Sequence, residues 1–75
     1  MTEQFKPARI IIKRKQVETF TGLSRTTIYY KLDPKSPYFD PAFPRPISLG
    51  GHAVGWVLAE VDAWIAARIA ERDAA

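Results

Sequence analysis

The chain has 75 residues, 47% of them hydrophobic, a formal net charge of +3 and no Cys. This length predicts one small domain, which can bury only about 60% of the surface of its unfolded chain. The composition excludes disulfides and cysteine zinc sites, and the apolar runs are far shorter than the roughly 20 residues that cross a bilayer. With no recognisable signal peptide, we expect a cytoplasmic protein that has no membrane partner.

The charge is unevenly distributed along the chain. Residues 1–58 hold nine Lys and Arg against four Asp and Glu, whereas residues 59–75 hold two against four. A basic region of this kind is what neutralising the phosphates of a nucleic acid requires, although an ordinary solvated surface has a similar charge. Charge alone therefore favours a nucleic-acid partner only weakly.

The first part of the chain predicts an extended segment followed by a helix. Residues 1–8 read as a flexible arm, and the consecutive Ile residues at 10–12 predict a short strand. A first helix is predicted over 14–20. Lys13 and Lys15 stand at its start, where they either bind phosphates or keep an exposed turn soluble, and the sequence favours neither interpretation.

Residues 21–30 are the most informative segment, because they predict a tight turn that leads into a capped helix. Gly22 relieves the turn. Ser24 is placed as an N-cap, whose side chain accepts a hydrogen bond from the backbone N–H of Thr26 or Thr27. The first and second helices would then be joined by a short turn, as in the helix-turn-helix motif of DNA-binding proteins.

The second predicted helix begins at Arg25 and has two distinct faces. Ile28 and Leu32 lie on the inner face, while Thr26 and Tyr30 lie on the opposite face, which carries no acidic residue. A helix of about eight residues spans roughly 12 Å, comparable to the width of the major groove of B-DNA. This segment is therefore predicted to be a recognition helix.

The proline loop, defined here as residues 33–46, contains five of the six prolines. No helix tolerates that density of proline, so the segment is predicted to cross the surface as a loop. A loop of this kind needs apolar contacts to stay ordered. We therefore expect Tyr38, Phe39 and Phe43 to be packing anchors rather than platforms on which bases stack.

A β-hairpin is predicted after the proline loop. Residues 47–49 and 54–56 alternate in polarity, and two glycines between them mark a turn. A hairpin that follows a helix-turn-helix is a wing, whose tip at 50–53 can approach the sugar-phosphate backbone or the minor groove. The residues predicted to face inward are Ile47, Leu49, Val54 and Trp56.

The last predicted element is a scaffold helix over about 58–72. Its apolar residues recur at helical spacing and neither Gly nor Pro interrupts it, while its acid-rich outer face argues against contact with DNA. The whole chain thus predicts an α+β fold, a small winged helix-turn-helix domain over 9–72 with a tail at 73–75. The predicted stripe consists of Leu58, Val61, Trp64, Ile65, Arg68 and Ile69.

Four sequence blocks, in the same order, make the chain similar to the AlpA-like regulators of phage and prophage. They read TGLSRTTIY at 21–29, FPRPISLG at 43–50, AVGW at 53–56 and EVDAWI at 60–65. The resemblance covers about residues 9–72. It implies a winged helix-turn-helix related to the MerR and excisionase DNA-binding domains, and a role in transcription control or in the excision of integrated elements.

The resemblance also implies which residues form the interface, and the chain departs from the family pattern at a few positions. It implies that residues 24–27 begin the recognition helix and that the turn at 50–53 is the wing. The link between Leu32 and Phe43 is longer than in the family. Tyr30 and Lys31 stand where the family often has a basic and an apolar residue, respectively, and His52 stands where the wing commonly carries Arg.

We predict a sequence-specific binder of double-stranded DNA that carries out no chemistry. Arg25 would pair with guanine or grip a phosphate, and Thr26 and Thr27 would touch a thymine methyl group or another base edge. Arg45 would bind phosphate near the wing, or alternatively anchor the loop through an ion pair. The candidate DNA-contacting residues are Lys13, Lys15, Ser24, Arg25, Thr26, Thr27, Tyr29, Tyr30, Arg45, Ser48, Gly51 and His52.

Partners other than DNA follow from the small size of the module. One such domain contacts only a few base pairs, so useful specificity needs several copies on DNA or a second protein beside it. We therefore expect self-association on DNA, and an integrase or RNA polymerase is a candidate protein partner. The sequence leaves open whether the output is activation, repression or an excisionase-like shaping of DNA.

Two other classes of function compete with DNA binding. An enzyme is disfavoured because the single His, His52, lies at a glycine turn and forms no economical Ser-His-Asp set, and no metal or cofactor site is predicted. The main alternative is a protein-interaction adaptor that uses the aromatic residues of the proline loop.

Overall fold

The computed structural model describes residues 9–75, so the predicted arm at 1–8 lies outside the described residues. The predicted α+β organisation is confirmed, and α3 continues past residue 72 into the predicted tail. None of the helices within residues 9–75 is long and apolar enough to cross a membrane. The elements are β1 (Ile11–Ile12), α1 (Arg14–Thr21), α2 (Arg25–Leu32), β2 (Ile47–Gly50), β3 (Ala53–Val57) and α3 (Leu58–Ala74).

The turn between α1 and α2 forms as the sequence predicts. Gly22 ends α1 with a φ of 75°, in the left-handed region that glycine adopts without strain, and its N–H donates to the Glu18 carbonyl oxygen at 2.8 Å. Ser24 caps α2, because its Oγ accepts a hydrogen bond from the backbone N–H of Thr27 at 3.1 Å. The helix-turn-helix is therefore fixed by local hydrogen bonds.

A small core lies where the elements converge. The three helices, two of the strands and the proline loop each contribute one buried hydrophobic side chain, whereas β2 contributes none, and Pro44 of the loop is also buried. The elements thus meet at one small core, supported by partly buried neighbours. The six core residues are Ile12, Val17, Ile28, Phe43, Trp56 and Val61.

The three strands form one antiparallel sheet in the order β1-β3-β2. The predicted inward orientation is correct for Trp56, which is fully buried, and wrong for Ile47, Leu49 and Val54, which are 40%, 44% and 43% exposed. Ile47 lies opposite Gly55, so Ile47 and Leu49 project from the face opposite to Trp56. Val54 shares the face of Trp56 but lies nearer to the hairpin tip.

The last turns of α3 extend beyond the core. Val61 is buried and Leu58, Trp64 and Ile65 pack against the core, as predicted. Ile69, which the helical spacing places on the same stripe, is exposed. The periodicity therefore identifies the inner face of α3 correctly but overestimates the length over which other elements cover it.

The proline loop is held in place by both tryptophans. The Nε1–H of Trp56 donates to the Pro44 carbonyl oxygen at 3.1 Å, and the Nε1–H of Trp64 donates to Oδ2 of Asp40 at 3.0 Å. Phe43 packs edge-to-face on Trp64, with 5.0 Å between the ring centroids. These contacts attach the loop to β3 and to α3.

The aromatic residues of the proline loop differ in their burial. Phe43 is 2% exposed and is an anchor, as predicted, and Phe39 is half-buried. Tyr38 is 64% exposed, so the prediction that it anchors the loop is wrong. The reason is that the loop turns between Ser36 and Phe39, which directs Tyr38 away from the core while the following residues return to it.

Asp40 links the proline loop to two helices. Its backbone N–H donates to the Lys31 carbonyl oxygen at 3.0 Å, and its carboxylate accepts hydrogen bonds from Trp64 and from the backbone N–H of Ala42. The hydrogen bond from Trp64 is the main reason that the pKa of Asp40 lies below its ordinary value, and the positive charges of Lys31 and Arg68 act in the same direction.

Candidate nucleic-acid interface

The predicted contact residues of α2 fall into an accessible group and a capping pair. Arg25, Thr26 and Tyr30 are exposed and lie at the start and on the outer face of the helix. Ser24 is also exposed, but its Oγ donates to Oγ1 of half-buried Thr27 at 3.0 Å in addition to accepting from the Thr27 backbone. The two hydroxyl groups therefore order the helix start beside the accessible residues.

Arg25 is oriented by the aromatic residue one turn further along α2. Its guanidinium carbon lies 5.9 Å from the centroid of the Tyr29 ring, within the range of a cation–π contact. The ring is itself 43% exposed. This contact restricts the long Arg25 side chain while the residue remains exposed, so the side chain is partly organised before a ligand arrives.

The three basic residues at the start of α1 differ in whether they form an ion pair. Arg14 forms an ion pair with Glu18 one turn later in the helix, so its charge is compensated within α1. Lys13 and Lys15, which flank it, are exposed. Lys13 and Lys15 are also the two residues that the sequence predicts as phosphate contacts. Unlike Arg14, neither forms an ion pair within the helix.

Uncompensated cations are concentrated outside α3. Within residues 9–75, Lys13, Lys15, Arg25 and Arg45 form no ion pair, so the alternative in which Arg45 anchors the loop through such a pair has no support there. Both arginines of α3, by contrast, pair with carboxylates of the same helix. Free positive charge is what a phosphate backbone attracts.

The remaining predicted contacts form a second group on the hairpin. Gly50 and Gly51 adopt positive φ values of 105° and 55°, which allow the tight turn at the tip. The Ser48 hydroxyl accepts a hydrogen bond from the Gly50 N–H at 3.3 Å, and His52 is exposed. In the part of the chain that the structure describes, no cluster of His, Asp and Glu is placed to hold a metal ion.

One exposed side chain beside α2 is absent from the predicted set. The Tyr38 ring lies 5.8 Å from the Tyr30 ring between centroids, at an interplanar angle of 32°. The sequence offers only an indirect signal for this proximity, a Tyr six residues beyond the end of the helix in a loop that begins with two turns. The contact depends on the path of the loop, which no local pattern specifies.

The comparisons with known proteins agree with this architecture. A family model described as "Prophage CP4-57 regulatory protein (AlpA)" matches residues 10–69. The chain belongs to this family. The matched range begins just before β1 and reaches into the last turns of α3, so it includes every element of the winged helix-turn-helix, and the resemblance stated from the four sequence blocks is confirmed.

Two curated relatives of this AlpA family member are informative. The chain is 50% identical over 48 residues to "DNA-binding transcriptional activator AlpA" of Escherichia coli (strain K12), which covers 64% of the chain and 69% of that protein. It is 47% identical over 57 residues to "Uncharacterized protein ORF88" of Enterobacteria phage P4, which covers 76% of the chain but only 58% of that protein. No solved structure is significantly similar to the chain.

Proposed function

We propose that this AlpA family member is a sequence-specific DNA-binding regulator of transcription, which inserts α2 into the major groove and places the hairpin tip on the neighbouring backbone. The E. coli relative is named a DNA-binding transcriptional activator, and half of the aligned residues are identical. The docking geometry is that of helix-turn-helix proteins, in which the second helix reads base edges and the first crosses the backbone.

The observation that carries the proposal is the exposed start of α2. Arg25 and Thr26 are exposed, and the first turn carries no acidic residue. An Arg can donate two hydrogen bonds to O6 and N7 of guanine, and a Thr methyl group can contact the thymine methyl group. Because Tyr29 already restricts Arg25, less conformational entropy is lost when the guanidinium binds.

The unpaired cations would supply the affinity that is independent of sequence. Lys13 and Lys15 at the start of α1 and Arg45 before the hairpin are exposed and form no ion pair within residues 9–75. Each phosphate that such a cation neutralises releases condensed counterions, so binding weakens as salt rises. The hairpin contacts, Ser48, Gly51 and His52, would position the domain rather than read sequence.

The small size of the domain bears on how it would achieve specificity on DNA. A domain of this size reads few base pairs, so we expect several copies to bind adjacent sites or to act beside an integrase or RNA polymerase. Repeated copies could also bend DNA, as an excisionase does. Such a regulator would act in the cytoplasm. For the adaptor alternative, Phe43 of the proline loop is buried and cannot receive a partner, which leaves Tyr38 as the one exposed aromatic residue of the loop.

The test is fluorescence-anisotropy titration of duplex DNA from upstream of the protein's own gene against a scrambled duplex, over a range of salt concentrations. We expect the wild-type protein to prefer the upstream duplex. Arg25→Ala should weaken binding to the upstream duplex by about tenfold or more and reduce the preference, because a good bidentate base contact discriminates by about 1–3 kcal/mol.

Arg72→Ala is the matched control, since it removes the same charge from α3, where Arg72 pairs with Asp73. It should leave the preference for the upstream duplex unchanged. Equal and weak binding of both duplexes by the wild-type protein, or equal effects of the two substitutions, would contradict the proposal and indicate a generic basic surface.

A further inference from the structure

The outer face of α2 does not end with the helix. Thr26 and Tyr30 are four residues apart and therefore lie on the same face, and the Tyr30 ring contacts the Tyr38 ring of the proline loop at 5.8 Å. Tyr38 is 64% exposed, more than any other large hydrophobic residue in the described range. The exposed row thus runs along the helix and continues onto the loop.

Tyr38 is held in this position rather than left free. Its backbone N–H donates to the Ser36 Oγ at 3.0 Å, and the next residue's N–H donates to the Ser36 carbonyl oxygen at 3.1 Å. Two residues later, Asp40 attaches the loop to the end of α2 through the Lys31 carbonyl oxygen. Both ends of the turn that carries Tyr38 are therefore hydrogen-bonded.

A cation lies in the same part of the loop. Lys35 is exposed, and its backbone N–H donates to Oδ1 of Asp33 at 2.9 Å, which fixes the turn from which its side chain projects. Within residues 9–75 its ammonium group forms no ion pair. The loop thus presents one phenol and one free ammonium group just beyond the recognition helix.

The dimensions of DNA indicate what this segment would meet. An eight-residue helix spans about 12 Å, which is already the width of the major groove. When the N-terminal residues of the helix contact the base edges, a side chain beyond its C-terminal end lies toward the bordering strand, where phosphates are presented. Tyr hydroxyl groups and Lys ammonium groups are both suited to phosphate oxygens.

We propose that Tyr38 and Lys35 form an additional contact with the DNA backbone at the C-terminal end of the recognition helix. The Tyr38 hydroxyl donates to a phosphate oxygen, and Lys35 neutralises a phosphate. This inference rests on the proposed function. It assigns the long proline loop a role in attaching the end of α2 to the DNA backbone, with no direct contribution to base discrimination.

Tyr38→Phe and Lys35→Gln test the inference in the same anisotropy assay, since both preserve the shape of exposed side chains and should leave the melting temperature unchanged. Tyr38→Phe should weaken binding about three- to tenfold, the range expected for the net loss of one solvent-accessible hydrogen bond. Lys35→Gln should reduce the slope of log K against log salt by about 0.9. Both should affect the upstream and scrambled duplexes equally, so the preference is retained.

Two controls separate this contact from general effects. Arg72→Gln removes a charge from α3 and should leave the salt slope unchanged. Phe20→Ala removes another exposed aromatic ring, which is 51% exposed on α1, and should leave the DNA affinity unchanged. Equal effects of a control and its matching loop variant would overturn the inference.

Other outcomes would overturn the inference while leaving the proposed function intact. In one such outcome, Tyr38→Phe and Lys35→Gln both bind DNA with the affinity and salt slope of the wild-type protein, while sequence-specific binding still depends on Arg25. Another is loss of affinity in Tyr38→Ala but not in Tyr38→Phe, which would mean that the ring acts only by packing on Tyr30. A third is unchanged DNA affinity with lost regulation in cells, which would indicate a protein partner. Failure of the proposed function is distinct, since the wild-type protein would then show no duplex preference.

Discussion

The proline loop and the hairpin tip are both irregular connections, but they are ordered in different ways. The loop is fixed by hydrogen bonds from two indole groups and by one buried aromatic ring, Phe43. The tip turns through Gly50 and Gly51, and its neighbours Leu49 and Val54 are exposed. Rigidity in these connections thus comes from buried attachments, and a segment without them is accessible to a ligand. Substitutions at the buried attachments of the loop should therefore change stability, and those at the tip should change binding.

The largest expected effect is that of Trp56→Ala. Trp56 is fully buried and donates to Pro44, so its removal should leave a cavity, free the loop and cost about 3–5 kcal/mol of unfolding free energy. Urea denaturation followed by circular dichroism measures this loss. Trp64→Ala should cost less, because Trp64 is only partly buried. Equal losses at the two positions would contradict the assignment of Trp56 as the main attachment of the loop.

A smaller effect is expected for Asp40→Asn, and it should depend on pH. Because the pKa of Asp40 is lowered in the folded state, chiefly by the hydrogen bond from Trp64, the unfolded state binds this proton more readily. The stabilisation is thus complete above the ordinary Asp pKa of about 3.9 and is lost as pH falls through the lower folded value. Asn has no charge to titrate, and it keeps one acceptor oxygen where Asp40 uses one oxygen for Trp64 and the other for Ala42.

Thermal denaturation from neutral pH down to about pH 2 tests this prediction across the range in which carboxyl groups titrate. Asp40→Asn should melt below the wild-type protein at neutral pH, and the difference should shrink as the solution is acidified. Asp62→Asn, at an exposed carboxyl group of α3, is the matched control and should follow the wild-type curve. A constant difference between Asp40→Asn and wild type at every pH would count against the role of the charge.

The smallest effect on stability, and a clear effect on binding, is expected at the hairpin tip. His52 is exposed, so His52→Arg should leave the melting temperature unchanged. A cation near a phosphate should steepen the slope of log K against log salt by about 0.9 and tighten binding at low salt. Ala70→Arg adds the same charge to α3 and should not change the slope. The same change in both variants would show that only net charge matters.

Features determined by neighbouring residues were predictable from the sequence. The Ser24 cap, the left-handed Gly22 and the inward Ile28 depend on contacts within a few positions, and all three are confirmed. The hairpin and its glycine turn also depend on neighbouring residues, and both are confirmed. The role of the candidate contact residues in DNA binding stays a prediction, since it rests on their chemistry and on the helix face or turn in which they lie.

Features that depend on how the elements are arranged were not predictable. The alternation of apolar and polar residues in β2 does not show which face of the strand packs on the core. The pairing of Ile47 with Gly55 shows that the apolar residues of β2 face away from the core. The path of the proline loop, and with it the position of Tyr38 beside Tyr30, depends on the attachment of the loop by Asp40, 24 positions from its indole partner Trp64. Long-range contacts of this kind leave no signature in a short stretch of sequence.

The core has a consequence for how this type of regulator can diversify. Since β2 places no side chain in the core, its residues can change while the packing of Ile12, Trp56 and Val61 is retained. Exchange of β2 and the hairpin tip between relatives would then alter the contacts to the ligand without a matching repair inside the domain. The strand that contributes no side chain to the core is thus the one most open to new specificity.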